Sequence, residues 1–473
     1  MQQDQVQALL DTFDRGYLSD QFAPVHEEVV AENLTVHGEL PRELTGMFCR
    51  NSPNPQFEPL GRYHWFDGDG MIHGLHVENG KATYRNKWVR TRSFEHEGGV
   101  GAAQWPGILD PVRMDLPGGP IKNTSNTDLV YHAGKLLSLW WLGGDPYEIS
   151  VPELDTVGVA EFGRRLDCGM SAHPKVDPRT GEMVFMDFSF FKPPFLQYGR
   201  VSAKGELISV VPIEIPAPRI LHDLAITQNH TILLDLPLGW DPQAMRKGKR
   251  KIAFDDTTPS RFGIMPRDSD GTDVRWFECP PCYIYHTINA WEEGDEVVLI
   301  ACRVDNPMPT GDWAGEVPRL YFLQLQPFLH KWRFNLVTGD VKEERLDDRP
   351  SEFPRMNDDL LGVPTRYSYN PRIASEPQLM FDGVIKYDTQ SGTSEAYDYG
   401  AHRFGGEVVF APRDTGESED DGWLMTFVHD RRAGRSDFVV LDARDVSAGP
   451  VATVELPVRV PPGFHACWVP GPF

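Results

Sequence analysis

At 473 residues the chain exceeds an ordinary single domain, and its 40% hydrophobic, 24% charged composition is that of a globular protein with a large core. The formal net charge of −23 excludes nucleic acid, whose phosphates need clustered Lys and Arg, and disfavours anionic membrane surfaces. Residues 1–20 lack a basic start followed by an apolar core, and no stretch approaches the roughly 18 apolar residues of a membrane span, so a cytoplasmic protein is expected.

Val6, Leu9, Leu10 and Phe13 recur at helical spacing, which predicts an N-terminal helix and tether over residues 1–28. Residues 29–473 read as one domain of short strands. Apolar alternations such as Ala82–Arg90, Leu136–Trp141, Met183–Met186, Thr231–Asp235, Glu296–Ala301 and Phe438–Leu441 are separated by turn signals such as Glu78-Asn79-Gly80 and His132-Ala133-Gly134. This spacing predicts an all-β sandwich or propeller. Two excursions, residues 94–124 and 306–330, break the rhythm and are expected to form a dome over one end of the sheets. Cys279-Pro-Pro-Cys282 has no second CxxC to pair with, so it reads as two reduced thiols rather than a zinc or redox site. The acidic run Glu417–Asp421 reads as a solvated loop.

Four histidines stand beside strongly patterned segments: His173 in Ser-Ala-His-Pro-Lys, His222 in His-Asp-Leu-Ala-Ile-Thr, His286 in His-Thr-Ile-Asn-Ala-Trp, and His465 in Gly-Phe-His-Ala-Cys-Trp. Neutral imidazole is the commonest protein metal ligand, and an all-imidazole site suits iron, copper, nickel or zinc. Taken singly, each is more often a surface or core histidine, and no spacing joins them. Only a closed, repeating architecture aims such distant residues at one point.

Longer motifs carry a family resemblance. From about residue 29 to the C-terminus, Arg50-Asn-Ser-Pro-Asn-Pro55, Tyr63-His-Trp-Phe-Asp-Gly-Asp-Gly-Met-Ile-His73, Ala172–Glu182, Arg275-Trp-Phe277, Trp423–Asp430 and Val460–His465 resemble the carotenoid cleavage oxygenases, the last two motifs especially those of plant type. The resemblance implies a seven-bladed β-propeller under a loop and helical dome, with Fe(II) on its axis held by His173, His222, His286 and His465. It also implies cleavage of a C=C bond by O2 into two carbonyl products. Glu352 and Glu407 match family glutamates that orient His286 and His465, since a ligating imidazole usually passes its other N–H to a carboxylate. The third such glutamate, expected beside His222, falls on Trp141 or Leu142. Asp145 and Glu148 are the nearest carboxylates in sequence that could replace it. Thr127 matches a residue whose methyl lies near the metal's open position.

A long apolar substrate needs an apolar passage, for which Trp140, Trp141, Phe188, Phe190, Phe191, Phe195, Trp313 and Phe464 are candidates. Relatives that cleave phenolic stilbenes or phenylpropenes commonly carry a lysine where this chain has Trp140, so a carotenoid or apocarotenoid substrate is expected instead. The 94–124 excursion is shorter than in plant-type enzymes, which predicts at most weak membrane association and a preference for shortened polyenes. The competing readings are a metal-free propeller scaffold and an isomerase or hydrolase on the same site.

Overall fold

The computed structural model describes the whole chain except residues 1–15, 112, 191, 241–251, 309–322, 324, 414, 415 and 417. Its strands form seven blades around one axis. The first blade joins Gly46–Pro53, Gly70–Glu78 and Lys81–Trp88 to the C-terminal strand Ala466–Pro470, with Val30–Ala31 outermost. The second runs from Asp128–His132 to Thr156–Val159, and the third from Lys175–Val176 to Leu207–Ile213. The fourth spans Ala225–Ile226 to Arg275–Cys279, and the fifth Tyr283–Glu293 to Val341–Arg345. The sixth holds Tyr367–Ile373, Phe381–Asp388 and Thr393–Asp398, and its inner edge is the segment 351–355, bridged at Ser351 to Arg372 and at Arg355 to Tyr369. The seventh holds Val409–Pro412, Gly422–Asp430, Arg435–Asp442 and Pro450–Glu455.

The ring closes twice. Cys49 pairs with Cys467 in the first blade, and His37 of Val36–Gly38 pairs with Thr453 in the seventh, so both blades mix N- and C-terminal strands. The seventh blade is complete only once Glu455 is reached and the first only at Pro470, which ties both ends of the chain to the stability of the ring.

Local sequence explains the elements. Along Lys81–Trp88 alternate residues Ala82, Tyr84 and Asn86 are buried, the period of a strand with one face inward. Asn79 (φ 53°) and Gly80 (φ 72°) supply the two left-handed residues of a tight hairpin before it. Between blades the packing is aromatic: Phe48 meets Phe427 edge-on at 5.0 Å, and Phe262 lies 5.0 Å from Phe334. In the first excursion Thr91 caps the helix Arg92–Val100 by accepting from the Phe94 amide. Behind that helix Lys122 bridges buried Glu97 (2.7 Å) and Asp69 (2.6 Å). The second excursion lies largely outside the described residues, and Phe328–Asn335 at its end is already a blade strand. The predicted N-terminal helix also lies outside them, except that Asp20–Phe22 forms a single 3-10 turn, with Tyr17 stacked on Trp65 at 5.9 Å. Cys279 and Cys282 are free buried thiols, and burial lifts Cys279 to about 12. Among the described residues no helix is long and apolar enough to cross a membrane.

Two buried histidines remote from the axis make the fold acid-sensitive. Burial, and secondarily the Arg459 charge, lower His429 to about 4; burial with Arg303 and Arg345 lowers His330 to about 3. Both values lie below the ordinary imidazole range, so the unfolded chain binds these protons more readily. Their contribution to stability is whole above about pH 6.5 and is lost as pH falls through 6 towards 4. Thermal melts are therefore expected to show a lower Tm at pH 5 than at pH 7, with the difference reduced in His429→Gln. A Tm unchanged over that range would contradict the assignment.

Candidate metal centre

Each blade offers one residue where its innermost strand begins or first meets the axis. In chain order they are Thr127, His173, His222, His286, Glu352, Glu407 and His465. The four imidazoles converge: their ligand nitrogens all lie within 4.8 Å of one another, and the His173–His465 and His286–His465 ring centroids are 4.4 and 4.6 Å apart. The Nε2 atoms of His222 and His286 face each other at 3.2 Å. Burial first, and then the neighbouring imidazoles, push His173 and His286 well below the ordinary range and His222 to about 3. All three are neutral at physiological pH, as metal ligation requires. His173 Nε2 is buried with no hydrogen-bond partner. Four imidazoles from separate blades converging on one point, one of them with its buried Nε2 unpartnered, fit a single borderline transition-metal cation.

Carboxylates orient three of the four rings. Glu352 Oε2 lies 2.6 Å from His286 Nδ1, and Glu407 Oε1 lies 3.0 Å from His465 Nδ1. Glu407 also accepts from the Ala466 amide (2.6 Å), fixing the strand as well as the ring. Burial holds the Glu352 carboxyl well above the usual carboxylate range. His173 has a partner that the sequence motifs did not suggest: Asp128 Oδ2 accepts from its backbone N–H (2.9 Å) and lies 3.3 Å from its Nδ1. His173 sits at φ +66°, a left-handed conformation that this anchor helps to hold. Among the described residues no carboxylate lies within ion-pair distance of the His222 ring; the Tyr285 ring packs edge-on against it at 5.2 Å. Asp145 and Glu148 do not supply the third carboxylate. Asp145 is paired with Arg92 (3.0 Å) and Arg165 (3.2 Å), and Glu148 with Lys135 (2.6 Å), because their strand and loop carry them to the outer surface.

The motifs flanking the site build it. Asn51 donates its backbone N–H to His465 O and accepts from the Phe464 amide, both at 2.9 Å, while its side chain donates to Ser125 O (2.9 Å). Any side chain at Gly463 would meet Asn51 O at 2.7 Å, so this close approach requires glycine. The Thr127 hydroxyl donates to Asn126 Oδ1 (2.9 Å) and accepts from the Trp141 amide (3.1 Å), which locks its rotamer and leaves the methyl free of polar duties.

Beside the histidines lies an apolar chamber bounded by Thr127, Trp141, Phe464 and His222 together with Trp65, Phe66, Tyr285, Phe353 and Leu379. A second cavity shares Phe66, Trp141, His222, Tyr285 and Leu323 with it and continues past Ile220, Leu238, Ile252 and Met308. Of the expected lining residues, Trp141 and Phe464 are in the chamber wall. Trp140 instead bounds a separate cavity with Ile121, Lys122 and Trp105, because successive residues point to opposite sides of an extended chain. Phe188 packs inside the third blade with Val184 and Met186 of its own strand, Phe190 lies 5.4 Å from it, and Phe195 packs on the same cluster. None of the three bounds the chamber. Phe191 and Trp313 lie outside the described residues. Trp65 and Phe66 were within a quoted motif but unassigned; the 3-10 turn Trp65–Asp67 presents them.

The opposite end of the axis opens into a larger polar cavity that reaches His173, Asp128 and Arg355. The ring of histidines therefore separates an apolar compartment from a polar one.

The retinal pigment epithelial membrane protein family model matches residues 22–470. The carotenoid 9,10(9',10')-cleavage dioxygenase 1 of Arabidopsis thaliana is 41% identical over 491 residues, covering 96% of this chain and 89% of that protein. Among solved structures, the lignostilbene dioxygenase of Pseudomonas brassicacearum superposes with a TM-score of 0.88 at 28% identity, covering 96% of this chain and 98% of its own. Cobalt-substituted Synechocystis apocarotenoid oxygenase superposes with a TM-score of 0.83 at 26% identity, covering 98% and 99%. With a family match over nearly the whole length and a propeller of the same architecture, the chain belongs to the retinal pigment epithelial membrane protein family, the carotenoid cleavage oxygenases.

Proposed function

We propose that this chain is a non-haem Fe(II) oxygenase that splits a C=C bond of a carotenoid or apocarotenoid with O2 into two carbonyl products. The observation that carries the reading is the convergence of four imidazoles, within 4.8 Å of one another, three of which (His222, His286 and His465) line an apolar chamber. His173, His222, His286 and His465 hold the iron; Glu352 and Glu407, together with Asp128, orient three of these rings. Bound there, ferrous iron supplies the redox activation of O2.

The remaining work belongs to the chain's own residues. Trp65, Phe66, Trp141, Phe353 and Phe464 hold a flat conjugated chain by apolar contact and exclude water. Their ring faces favour the positive charge that develops on the polyene when oxygen attacks one alkene carbon. The Thr127 methyl restricts the space beside the iron. No general acid or base is needed, and Glu352, the one carboxylate among the described residues of the chamber wall, is committed to His286. The catalytic domain spans residues 29–473, preceded by a tether, and works in the cytoplasm with at most weak membrane association, in keeping with the net charge of −23.

Incubation of iron-loaded protein under air with carotenoids, apocarotenoids and phenolic stilbenes tests the reading. Paired aldehydes or ketones from the polyenes are expected, with O2 consumed in step. Turnover of the phenolics alone, or products without O2 uptake, would overturn it.

A further inference from the structure

Asp223, buried and next to His222, gathers four hydrogen-bond donors from three blades. Its Oδ1 accepts from the Leu224 amide (2.7 Å) and pairs with Lys175 Nζ (2.7 Å). Its Oδ2 accepts from the Thr287 amide (2.7 Å) and hydroxyl (2.8 Å). Lys175 belongs to the third blade and follows His173 by two residues; Thr287 belongs to the fifth and directly follows His286. One carboxylate thus joins the chain beside three of the four imidazoles. The strand carrying His286 leaves its register at this point, pairing Ile284 with Arg303 and Thr287 with Ala301. Tyr285 and His286 therefore stand opposite Cys302 alone, in a bulge of the kind that re-aims a side chain. Asp223 takes up the amide that follows the bulge.

We infer that Asp223 is a positioning residue of the metal centre: it clamps the third, fourth and fifth blades where His173, His222 and His286 project, and so sets the spacing of those three rings. The inference rests on the metal centre of the reading proposed above and deepens it. Ligands held in place before the metal arrives need not reorganise to bind it, so a group that fixes their backbone raises affinity without touching the ion. The clamp also accounts for His222, whose ring is turned by packing against Tyr285 while the backbone beneath it is held through the next residue. Asp223 has a second effect. The Lys175 charge bears on the His173, His222 and His286 rings and would oppose a divalent cation, and the carboxylate offsets it.

Asp223→Asn keeps the shape of the side chain but cannot accept at both ends, so one set of donors meets an amide NH2. In competition with a calibrated chelator the variant is expected to bind Co(II) and Fe(II) about 10–100-fold more weakly than the wild type. Its cobalt-loaded form should show displaced ligand-field absorption bands, because the rings no longer meet the ion at the same angles. Thr287→Val removes one donor and no charge; it should lose affinity in the same direction by less, and it decides the matter if Asp223→Asn does not fold. Asp223→Asn combined with Lys175→Met restores the charge balance without the clamp and should stay weak. A merely structural carboxylate would lower the Tm of the apoprotein and leave metal affinity and cobalt bands as in the wild type. That result would overturn the inference, and so would full recovery of affinity in the double variant. A wild type that binds cobalt but cleaves no polyene would instead overturn the proposed function, and affinity and spectrum would still decide the role of Asp223.

Discussion

His286→Ala is expected to purify with iron near background and to cleave no polyene. This ring touches every other member of the group: its centroid lies 4.9 Å from that of His173, 5.0 Å from His222 and 4.6 Å from His465. Its removal takes away one of four nitrogens and also strands Glu352, which is buried and loses its 2.6 Å partner. Glu352 still accepts from the Phe353 backbone N–H, so only its contact with the imidazole is lost. The cost is then that of an unsatisfied polar group, about 1–3 kcal/mol, which a fold stable by roughly 5–15 kcal/mol survives. Circular dichroism should therefore match the wild type while metal analysis does not. Glu352→Gln separates ligation from orientation: the amide keeps a hydrogen-bonding group at Nδ1 but no negative charge, and iron affinity is expected to fall about 10–100-fold. Full iron content and activity in His286→Ala would remove the metal centre from the account altogether.

The elements legible in the sequence were those governed by local periodicity. The runs around Met183, Thr231, Glu296 and Phe438 appear as the strands Met183–Phe188, His230–Asp235, Glu296–Val304 and Arg435–Asp442. The convergence of the histidines could not be read from spacing, because it is set by how many blades close the ring and where each innermost strand starts. Family motifs carried that information; periodicity did not. The same limit explains the misplaced aromatics: a phenylalanine inside a blade and one in a chamber wall look alike in sequence, and Phe188 falls on the blade-facing parity of its strand. After the strand ends at Leu139 the chain turns at Gly143 and Gly144, which adopt φ 79° and 122°. Of the two positions offered for the third glutamate, Trp141 bounds the chamber and Leu142 does not. Asp128 was hidden for another reason. It directly follows Thr127, whereas the motifs point to a carboxylate beside His222, and only the folded chain shows it turned to the neighbouring blade.

Asp128→Asn is expected to weaken iron binding about 10–100-fold without unfolding the protein. The carboxylate has two tasks. Its Oδ2 anchors the His173 backbone N–H at 2.9 Å, holding that residue at φ +66°, and it faces Nδ1 of the same ring at 3.3 Å. Asparagine can still accept from the backbone but cannot present negative charge to the imidazole, so the change isolates the electrostatic task. Asp128→Ala removes both. The left-handed backbone at His173, a conformation costing on the order of 1–3 kcal/mol, is then free to relax, and the ring leaves its aim. A larger loss of affinity and a lower Tm are expected for alanine than for asparagine. Since no carboxylate supports His222 among the described residues, the negative charge around the centre comes from Asp128, Glu352 and Glu407, and each should matter by a similar factor. Competition with a calibrated ferrous chelator measures this directly. An Asp128→Asn protein that holds iron as tightly as the wild type would reduce Asp128 to a backbone anchor and leave His173, like His222, oriented by packing alone.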